Sequence, residues 1–218
     1  MAESGKNILR ITEIFLSIQG ETRTAGLPTV FIRLTGCPLR CGYCDTAYAF
    51  QGGTVMGMDA ILKQVAEYQV KRVLVTGGEP LAQADCVALM TALCDEGYEV
   101  SIETSGALDI APIDPRVVKV MDIKTPGSGE VSRNRYENIQ SLLPQDQVKF
   151  VLCHRDDYDW AKGILKTYSL TDRCEVLLSP SYTELSPGLI ADWILEDRLS
   201  VRLQIQLHKY LWGDVAGK

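Results

Sequence analysis

The sequence lacks three features that would place the protein at a membrane, outside the cell or on nucleic acid. No apolar run is long enough to cross a bilayer, and residues 1–13 lack the charged-then-apolar order of a signal peptide. The 22 basic residues are outnumbered by 28 acidic ones, giving a net charge of −6 and no general attraction to nucleic acid or acidic lipid. These absences favour a cytoplasmic protein with no nucleic-acid or membrane partner.

The sequence also lacks a disulfide pattern and a complete set of zinc ligands. Its seven cysteines are an odd number without the spacing of a disulfide scaffold, which favours a reducing compartment. Cys37, Cys41 and Cys44 are spaced Cys-x3-Cys-x2-Cys, and no second Cys-x2-Cys pair could complete a four-ligand structural zinc site. An iron–sulfur cube also takes four ligands, so three cysteines would leave one iron open to another molecule.

Three buried structural cysteines are the alternative interpretation of this motif, because cysteine packs well as a small hydrophobic residue. The residues between and after the cysteines argue against it. Pro38, Arg40, Gly42 and Asp45 make a polar loop and not a core strand.

Apolar, β-branched runs alternate with segments of helical spacing along the whole chain. Strands are predicted over residues 29–35, 72–76, 98–103, 117–123, 147–152, 174–178 and 201–206, and helices over 59–68, 82–94, 133–143, 156–168 and 187–195, while 8–17 is a strand or an entry segment. This alternation predicts right-handed βαβ units with parallel strands. About six units are fewer than the eight of a closed barrel. We therefore expect one α/β domain over residues 1–218, a partial (β/α)6-type barrel open on one side.

Polar motifs follow several of the predicted strands at the point where each strand ends. They are the cysteine loop, Gly77-Gly78-Glu79-Pro80, Glu103-Thr104-Ser105-Gly106, Asp122-Ile123-Lys124-Thr125-Pro126 and Ser179-Pro180-Ser181-Tyr182. In parallel α/β folds the carboxyl ends of the strands carry the chemistry, so these segments should converge on one mouth. Arg33 lies inside an apolar strand and needs an anion, which could be an internal carboxylate or a bound one.

The cysteine spacing followed by Gly-Gly-Glu-Pro resembles the radical S-adenosylmethionine (SAM) superfamily. The resemblance implies a [4Fe-4S] cluster on Cys37, Cys41 and Cys44, whose open iron is chelated by SAM. Tyr43 matches the position beside the adenine, and Gly78 matches a SAM contact. One-electron reduction of SAM then releases a 5′-deoxyadenosyl radical, while the protein orients the substrate. The electron must come from a partner such as flavodoxin.

Motifs outside the cluster loop narrow the resemblance to one family. They are Phe15-Leu16-Ser17-Ile18-Gln19-Gly20-Glu21, residues 26–33 (GLPTVFIR), Cys44-Asp45-Thr46, Asp122-Ile123-Lys124-Thr125-Pro126, Val148-Lys149-Phe150 and Gln206-x-His208-Lys209. Over nearly the whole length the chain resembles the 7-carboxy-7-deazaguanine synthase family. That family contracts the ring of 6-carboxy-5,6,7,8-tetrahydropterin with loss of ammonia, in queuosine precursor biosynthesis. It uses Mg²⁺ and works as a homodimer.

The resemblance also implies roles for individual residues. Substrate-binding positions are matched by Ile18, Gln19, Gly20, Glu21, Arg33, Thr76 and His208, and the magnesium ligand by Thr46. Positions in SAM-binding stretches are matched by Tyr43, Gly78, Glu103, Asp122, Ile123, Lys124, Ser179, Pro180, Ser181 and Tyr182. His208 could instead be a surface or capping histidine, and His154 is predicted to be a surface residue. The end of the chain, Trp212-Gly213-Asp214, departs from the family because it lacks a clear proline at the substrate-capping position.

Two other functions fit parts of the pattern. A glycyl-radical activating enzyme shares the short barrel and the cysteine spacing, but would have no reason to carry Gln19-Gly20-Glu21. A non-catalytic cluster or zinc protein, acting as an electron carrier or scaffold, would need only the cysteines. Formation of 5′-deoxyadenosine would exclude the non-catalytic protein. Its dependence on the carboxylated pterin would support the synthase over the activating enzyme.

Overall fold

The computed structural model describes residues 7–213, 215 and 217. The strands are β1 (Ile8–Ile18), β2 (Pro28–Leu34), β3 (Thr54–Gly57), β4 (Arg72–Gly77), β5 (Glu99–Thr104), β6 (Val118–Asp122), β7 (Gln147–Leu152), β8 (Glu175–Pro180) and β9 (Arg202–Leu203). The α-helices are α1 (Met58–Glu67), α2 (Cys86–Asp95), α3 (Arg155–Tyr168), α4 (Leu170–Arg173), α5 (Pro187–Asp197) and α6 (Leu207–Trp212). Short 3-10 turns occupy Ala47–Phe50, Pro80–Ala82, Pro126–Ser128, Val131–Arg133 and Tyr136–Ser141.

The strands form one sheet in the order β3-β1-β2-β4-β5-β6-β7-β8-β9. From β2 to β9 all pairings are parallel, and each new strand is added on the same side of the last one. A sheet wound in one direction curls toward a barrel, whereas a doubly wound sheet reverses its strand order. Among the described residues β9 and β3 do not pair, so the barrel stays open. The predicted partial barrel is confirmed.

The antiparallel edge of the sheet was only partly predicted. β1 runs antiparallel to β2, and the short strand β3 runs antiparallel to β1. The sequence of residues 8–17 is compatible with a strand or an entry segment, and β3 is not predicted because its four residues show no periodic pattern. Ile18 pairs with Pro28, the first residue of β2, so the segment after Ile18 begins at the amino ends of the parallel strands, where the Arg23 N–H donates to Gln147 Oε1 at the start of β7.

The hydrophobic core lies between the sheet and the helices. Ile61 and Val65 of α1 are fully buried, as their i, i+4 spacing predicts, and Leu89 and Leu93 of α2 repeat the pattern. Cys86 and Cys174 are buried in this core, and burial raises the pKa of the Cys86 thiol to about 12.

Three of the predicted elements differ from the structure, and in the first two the cause is a side chain that hydrogen-bonds to another part of the chain. Residues 133–143 form separate 3-10 turns because the Asn134 side chain bonds both backbone groups of Lys124, and the Asn138 amide donates to the Gly106 and Leu108 carbonyls. Helix α2 starts at Cys86 and not at residue 82, since Gln83 is extended and bonds the backbone of Arg10.

The last predicted strand, 201–206, is reduced to Arg202–Leu203, which pair with β8. The chain then turns at Gln206 into α6.

None of the helices in the described ranges is long and apolar enough to cross a membrane.

Candidate active site

A cavity of about 220 Å³ opens at the carboxyl ends of the parallel strands. It is lined by Phe15, Ile18, Gln19, Gly20, Glu21, Phe31, Arg33, Cys37, Leu39, Cys41, Tyr43, Cys44, Asp45, Thr46, Phe50, Thr76, Gly77, Gly78, Glu103, Thr104, Ser105, Asp122, Lys124, Lys149, Val151, Pro180, Ser181, Tyr182, Gln206 and His208. Every residue assigned a site role from the sequence is in this set except two. Ile123 belongs to the hydrophobic core, and Ser179 is buried within β8. All assigned roles stay predictions, but the structure brings their residues to one place.

One side of the cavity, here called the cysteine wall, consists of residues 36–46 and 77–79. All three cysteines carry free thiols and lie partly exposed on the cavity. The Gly42 N–H donates to the Ser128 carbonyl at 3.0 Å, and the Arg40 N–H donates to Glu130 Oε1 at 2.5 Å, so the loop after β6 holds the cysteine loop. Burial raises the pKa of Cys37 and of Cys41. Their thiols are therefore protonated at neutral pH until a metal displaces the protons.

The donor set fits an iron–sulfur cube better than a single metal ion. In a mononuclear zinc site the thiolates converge at about 2.3 Å from one ion. Across the described part of the chain, no three Cys, His, Asp or Glu side chains converge in a way that could hold one ion. In a cube each cysteine binds a different iron, so the thiolates stand further apart.

The second segment of the cysteine wall packs directly against the first. A Cβ at Gly78 would lie 2.7 Å from the Cys37 Cβ and closer still to the Gly36 carbonyl oxygen, so only glycine fits. The adjacent Glu79 is fully buried. Its carboxylate accepts from Thr104 Oγ1 at 2.9 Å, Ser105 N at 2.7 Å and Leu81 N at 3.0 Å, and also from Ser105 Oγ. Glu79 therefore ties the loop after β4 to the loop after β5.

A second set of lining residues, here called the charged wall, consists of Glu21, Glu103, Asp122, Lys124 and Lys149. Lys149 Nζ lies 2.7 Å from Glu21 Oε2 and 3.4 Å from Asp122 Oδ1, and Lys124 Nζ lies 2.6 Å from Asp122 Oδ2. Burial opposes charge on these groups, but their mutual attraction is stronger. The pKa values of Glu21 and Asp122 are lowered and those of Lys124 and Lys149 are raised. Glu21, Lys149, Asp122 and Lys124 therefore stay ionised, and negative and positive charges alternate from one residue to the next.

Glu103 differs from the rest of the charged wall. Its carboxyl group lines the cavity and forms no hydrogen bond with any described residue. Burial raises the pKa of Glu103 to about 7; Lys149 opposes this, and the Glu21 and Asp122 carboxylates add to it. A carboxyl group that is half protonated near neutral pH and faces a cavity can hold or release a proton there.

Three cavity-lining residues have a polar side-chain atom that is buried without a hydrogen-bond partner in the described residues. These atoms are the Tyr43 hydroxyl, the Gln19 side-chain nitrogen and the Ser181 hydroxyl. Buried polar groups are normally hydrogen-bonded, so such atoms point to a ligand that completes them. Tyr43 lies between the last two cysteines of the motif, whereas Gln19 directly follows β1.

The start of helix α6 packs against the segment that follows β1 and lines the cavity there. Gln206 Nε2 donates to Glu21 Oε1 at 3.1 Å, and the Leu207 N–H donates to the Gly20 carbonyl at 2.9 Å. A Cβ at Gly20 would overlap the His208 ring, so glycine is needed for this approach. His208 is half-buried on the cavity, and burial lowers its pKa. His154 is exposed as predicted, and Asp214 lies outside the described residues.

Thr46 and Asp45 present hard oxygen atoms to the cavity. Thr46 Oγ1 donates its proton to Asp45 Oδ1 at 2.7 Å, which leaves its own lone pairs available. Lys209 Nζ lies 3.3 Å from Asp45 Oδ2. Burial would raise the pKa of Asp45, but the Thr46 hydrogen bond and the Lys209 charge outweigh it and the pKa is lowered. A hydroxyl and a carboxylate suit Mg²⁺, which keeps waters and substrate oxygens as its other ligands.

Arg33 has the internal partner that the sequence left as one of two possibilities. Its Nε lies 2.6 Å from Glu13 Oε1, on the neighbouring strand.

Residues that the sequence did not assign to the site also line the cavity, among them Phe31, Asp45 and Lys149. Lys149 could have been assigned to the site from the sequence, because a lysine inside an apolar strand such as β7 is seldom buried without a charged partner or a function.

An incomplete parallel barrel with a three-cysteine loop and a Gly-Gly-Glu-Pro loop at its mouth defines a radical SAM enzyme. The sequence model of the Radical SAM superfamily matches residues 31–122, the part that carries both loops. Solved structures agree at the level of the fold. QueE from Escherichia coli superposes with a TM-score of 0.75 at 23% identity, covering 94% of this chain and 100% of that one. SuiB from Streptococcus suis bound to its precursor peptide superposes with a TM-score of 0.54 at 15% identity, covering 78% and 46%.

Curated relatives identify the family. A 7-carboxy-7-deazaguanine synthase from Chlorobaculum tepidum is 44% identical, with 94% of each chain covered. Proteins of the same name from Koribacter versatilis and Thermoplasma acidophilum are 40% and 36% identical, covering 94% and 95% of this chain and 97% and 99% of their own. The chain belongs to the 7-carboxy-7-deazaguanine synthase family. A [4Fe-4S] cluster and SAM are the cofactors of this class of enzyme.

Proposed function

We propose that this protein converts 6-carboxy-5,6,7,8-tetrahydropterin to 7-carboxy-7-deazaguanine with loss of ammonia, in the biosynthesis of queuosine and other 7-deazapurines. The observation that carries the proposal is the cavity itself. It brings the cysteine wall together with polar groups that suit a carboxylated pterin: the Arg33 guanidinium, the Gln19 side-chain nitrogen and the Glu103 carboxyl group. The family relationship supports the same reaction.

The residues of the cysteine wall hold the cofactors. Cys37, Cys41 and Cys44 bind the cluster, and the glycine backbone at Gly78 with the Tyr43 ring receives SAM. When bound and reduced, this pair supplies a radical able to abstract a hydrogen atom from the substrate. The Glu79 carboxylate fixes the distance between the Gly78 loop and the strand end at Thr104, which keeps the SAM pocket in shape.

The remaining residues bind the substrate and manage protons. Arg33 receives the substrate carboxylate, and the Gln19 amide bonds the pterin edge. Glu103 is placed to hold a proton at its carboxyl oxygen, where it can be given to a departing amine. Gln206 and the first turn of α6 close the cavity beside Gly20 and Glu21 and so exclude water there. The proposal is completed by roles in SAM binding for Glu103, Asp122, Ile123, Lys124, Ser179, Pro180, Ser181 and Tyr182. It also includes roles in substrate binding for Ile18, Gly20, Glu21, Thr76 and His208.

We infer that Mg²⁺ binds at Thr46, with the Asp45 carboxylate holding the hydroxyl in place. A magnesium ion held there by the Thr46 hydroxyl would supply positive charge that stabilises oxygen atoms of the substrate. The proposal further includes a homodimer, an electron donor such as flavodoxin, a cytoplasmic location and a single radical SAM domain over residues 1–218. The continuous sheet supports the last of these.

Anaerobic reconstitution tests the function. The protein is loaded with iron and sulfide, then given SAM and dithionite with and without the carboxylated pterin. Without the pterin we expect only a low background of 5′-deoxyadenosine. With the pterin we expect both 5′-deoxyadenosine and 7-carboxy-7-deazaguanine. A colourless protein that binds zinc at the three cysteines would overturn the proposal, as would SAM cleavage that responds to a glycyl-radical enzyme and not to the pterin.

A further inference from the structure

We propose that Glu13 is a positioning residue that aims the Arg33 guanidinium at the carboxylate of the substrate, and so makes the enzyme selective for carboxylated pterins. The inference rests on the proposed function, because it takes Arg33 as the group that receives the substrate. It concerns residues behind the cavity wall, to which neither the sequence motifs nor the family resemblance assigned a role.

A β-bulge brings Glu13 to the cavity side of β1. The pairing of β1 with β2 shifts register between Ile11 and Glu13. Before the shift, Ile11 points into the core between sheet and helices, where it is 3% exposed. After it, Glu13 and Phe15 share the opposite face, and Phe15 lines the cavity. Bulges of this kind re-aim side chains next to functional sites.

The same register places Glu13 directly opposite Arg33 on β2. The Arg33 Nε lies 2.6 Å from Glu13 Oε1, and the Tyr48 hydroxyl donates to the same oxygen at 2.8 Å. The guanidinium carbon lies 5.9 Å from the Phe15 ring centre and 5.8 Å from the Tyr48 ring centre. One carboxylate and two aromatic rings therefore fix the plane of the guanidinium.

This arrangement leaves one edge of the guanidinium for a ligand. Glu13 bonds only the Nε of Arg33, and the two terminal nitrogens form no hydrogen bond with any described residue. Arg33 lines the cavity, whereas Glu13 and Tyr48 do not. The free pair of terminal nitrogens matches the two oxygens of a carboxylate, which a planar fork binds in a bidentate manner.

Two physical effects of Glu13 oppose each other, and the experiment must separate them. As an acceptor Glu13 pre-orients the fork, which strengthens carboxylate binding. As a negative charge it weakens the attraction between Arg33 and a second carboxylate. Glu13→Ala removes both effects, whereas Glu13→Gln removes the charge and keeps an oxygen that can accept from Nε.

The test measures the substrate KM of the cluster-loaded enzyme, and the Kd of tetrahydropterin without the 6-carboxylate. We expect Glu13→Ala to raise KM about 10-fold, the loss of one charge-assisted hydrogen bond, with a less than twofold change in the Kd of the uncarboxylated pterin. Glu13→Gln should raise KM by about threefold, and Tyr48→Phe by about twofold, because each keeps part of the arrangement. Glu96→Ala, which removes an exposed carboxylate on α2's C-terminal side, is the matched control.

Each other outcome overturns the inference. A lower KM in both Glu13 variants would mean that Glu13 acts only as a charge against the substrate. Equal weakening of both pterins, with a lower melting temperature in Glu13→Gln as well, would mean that Glu13 only supports the fold. A wild-type enzyme that binds neither pterin would refute the proposed function itself. A wild-type preference for the carboxylated pterin that survives in Glu13→Ala would refute the role of Glu13 alone.

Discussion

The cysteine wall and the charged wall face the same cavity but are built from different kinds of contact. The cysteine wall is two short loops, residues 36–46 and 77–79, held by backbone hydrogen bonds and close glycine contacts. The charged wall joins residues as far apart as Glu21 and Lys149 through buried ion pairs. A loop held by contacts within a short segment can be recognised from the spacing of its residues in the sequence. A buried ion pair between distant residues depends on which strands are neighbours in the fold.

Substitutions in the two walls should also have different effects on stability and on activity. Loss of a cysteine leaves the fold intact, because the thiols lie at a partly exposed loop. Loss of one ion-pair partner leaves another charge buried and uncompensated, which costs stability before it costs chemistry. Four substitutions, taken from the largest expected effect to the smallest, sharpen this contrast.

Cys41→Ala should abolish the activity and leave the fold in place. With only two thiolates the cluster is not retained, so we expect product formation to fall by at least roughly 1000-fold, about 4 kcal/mol in activation free energy. Iron content and the visible absorption of the reconstituted protein measure the cluster, and circular dichroism measures the fold. Cys94→Ala, on the distant helix α2, is the control. A Cys41→Ala protein that retains a full cube would contradict the assignment of ligands.

Lys149→Met should act on the fold. It leaves Glu21 and Asp122 without the ammonium between them, and we expect a loss of about 3–5 kcal/mol in the free energy of unfolding, measured by denaturant titration. Lys166→Met, at an exposed position on α3, controls for the removal of a charge. A cost below about 1 kcal/mol would show that the charged wall is solvated and not a buried network.

Glu79→Ala tests the connection between the two strand ends. It leaves the Ser105 N–H and the Thr104 hydroxyl without an acceptor, so we expect about 3 kcal/mol of destabilisation together with weaker SAM binding. Equilibrium dialysis with labelled SAM measures the second effect. If SAM affinity stays the same while stability falls, Glu79 supports the fold without shaping the SAM pocket.

Glu103→Gln should have the smallest effect on stability, and one that depends on pH. In the folded protein the pKa of Glu103 is raised from 4.5 to about 7, so the folded state binds an extra proton within that range. The contribution of Glu103 to the free energy of unfolding therefore falls as the pH rises from about 4.5 to 7. The neutral glutamine avoids this loss. We expect the variant to melt about 3 °C above the wild type at pH 8.5, and at nearly the same temperature at pH 5. An equal difference at both pH values would mean that Glu103 does not titrate in this range.

The sequence determined the fold class and the cysteine wall, since both depend on local signals. Alternating strands and helices predicted the partial barrel, and the spacing of Cys37, Cys41 and Cys44 predicted the cluster loop. Gly78 was recognisable within a contiguous motif, and the structure supplied the reason that glycine is required there. The assignment of functional roles along the charged wall came from family resemblance and not from physical signals in the residues.

Only the tertiary structure decided which charges meet and which are left over. Nothing local pairs Lys149 with Glu21 across 128 positions, or leaves Glu103 without a hydrogen bond beside them. The choice between an internal and a bound anion for Arg33 was also open in the sequence, until a one-residue bulge set Glu13 opposite it. Electrostatic energies depend on distance and burial, and both are properties of the assembled sheet and not of spacing along the chain.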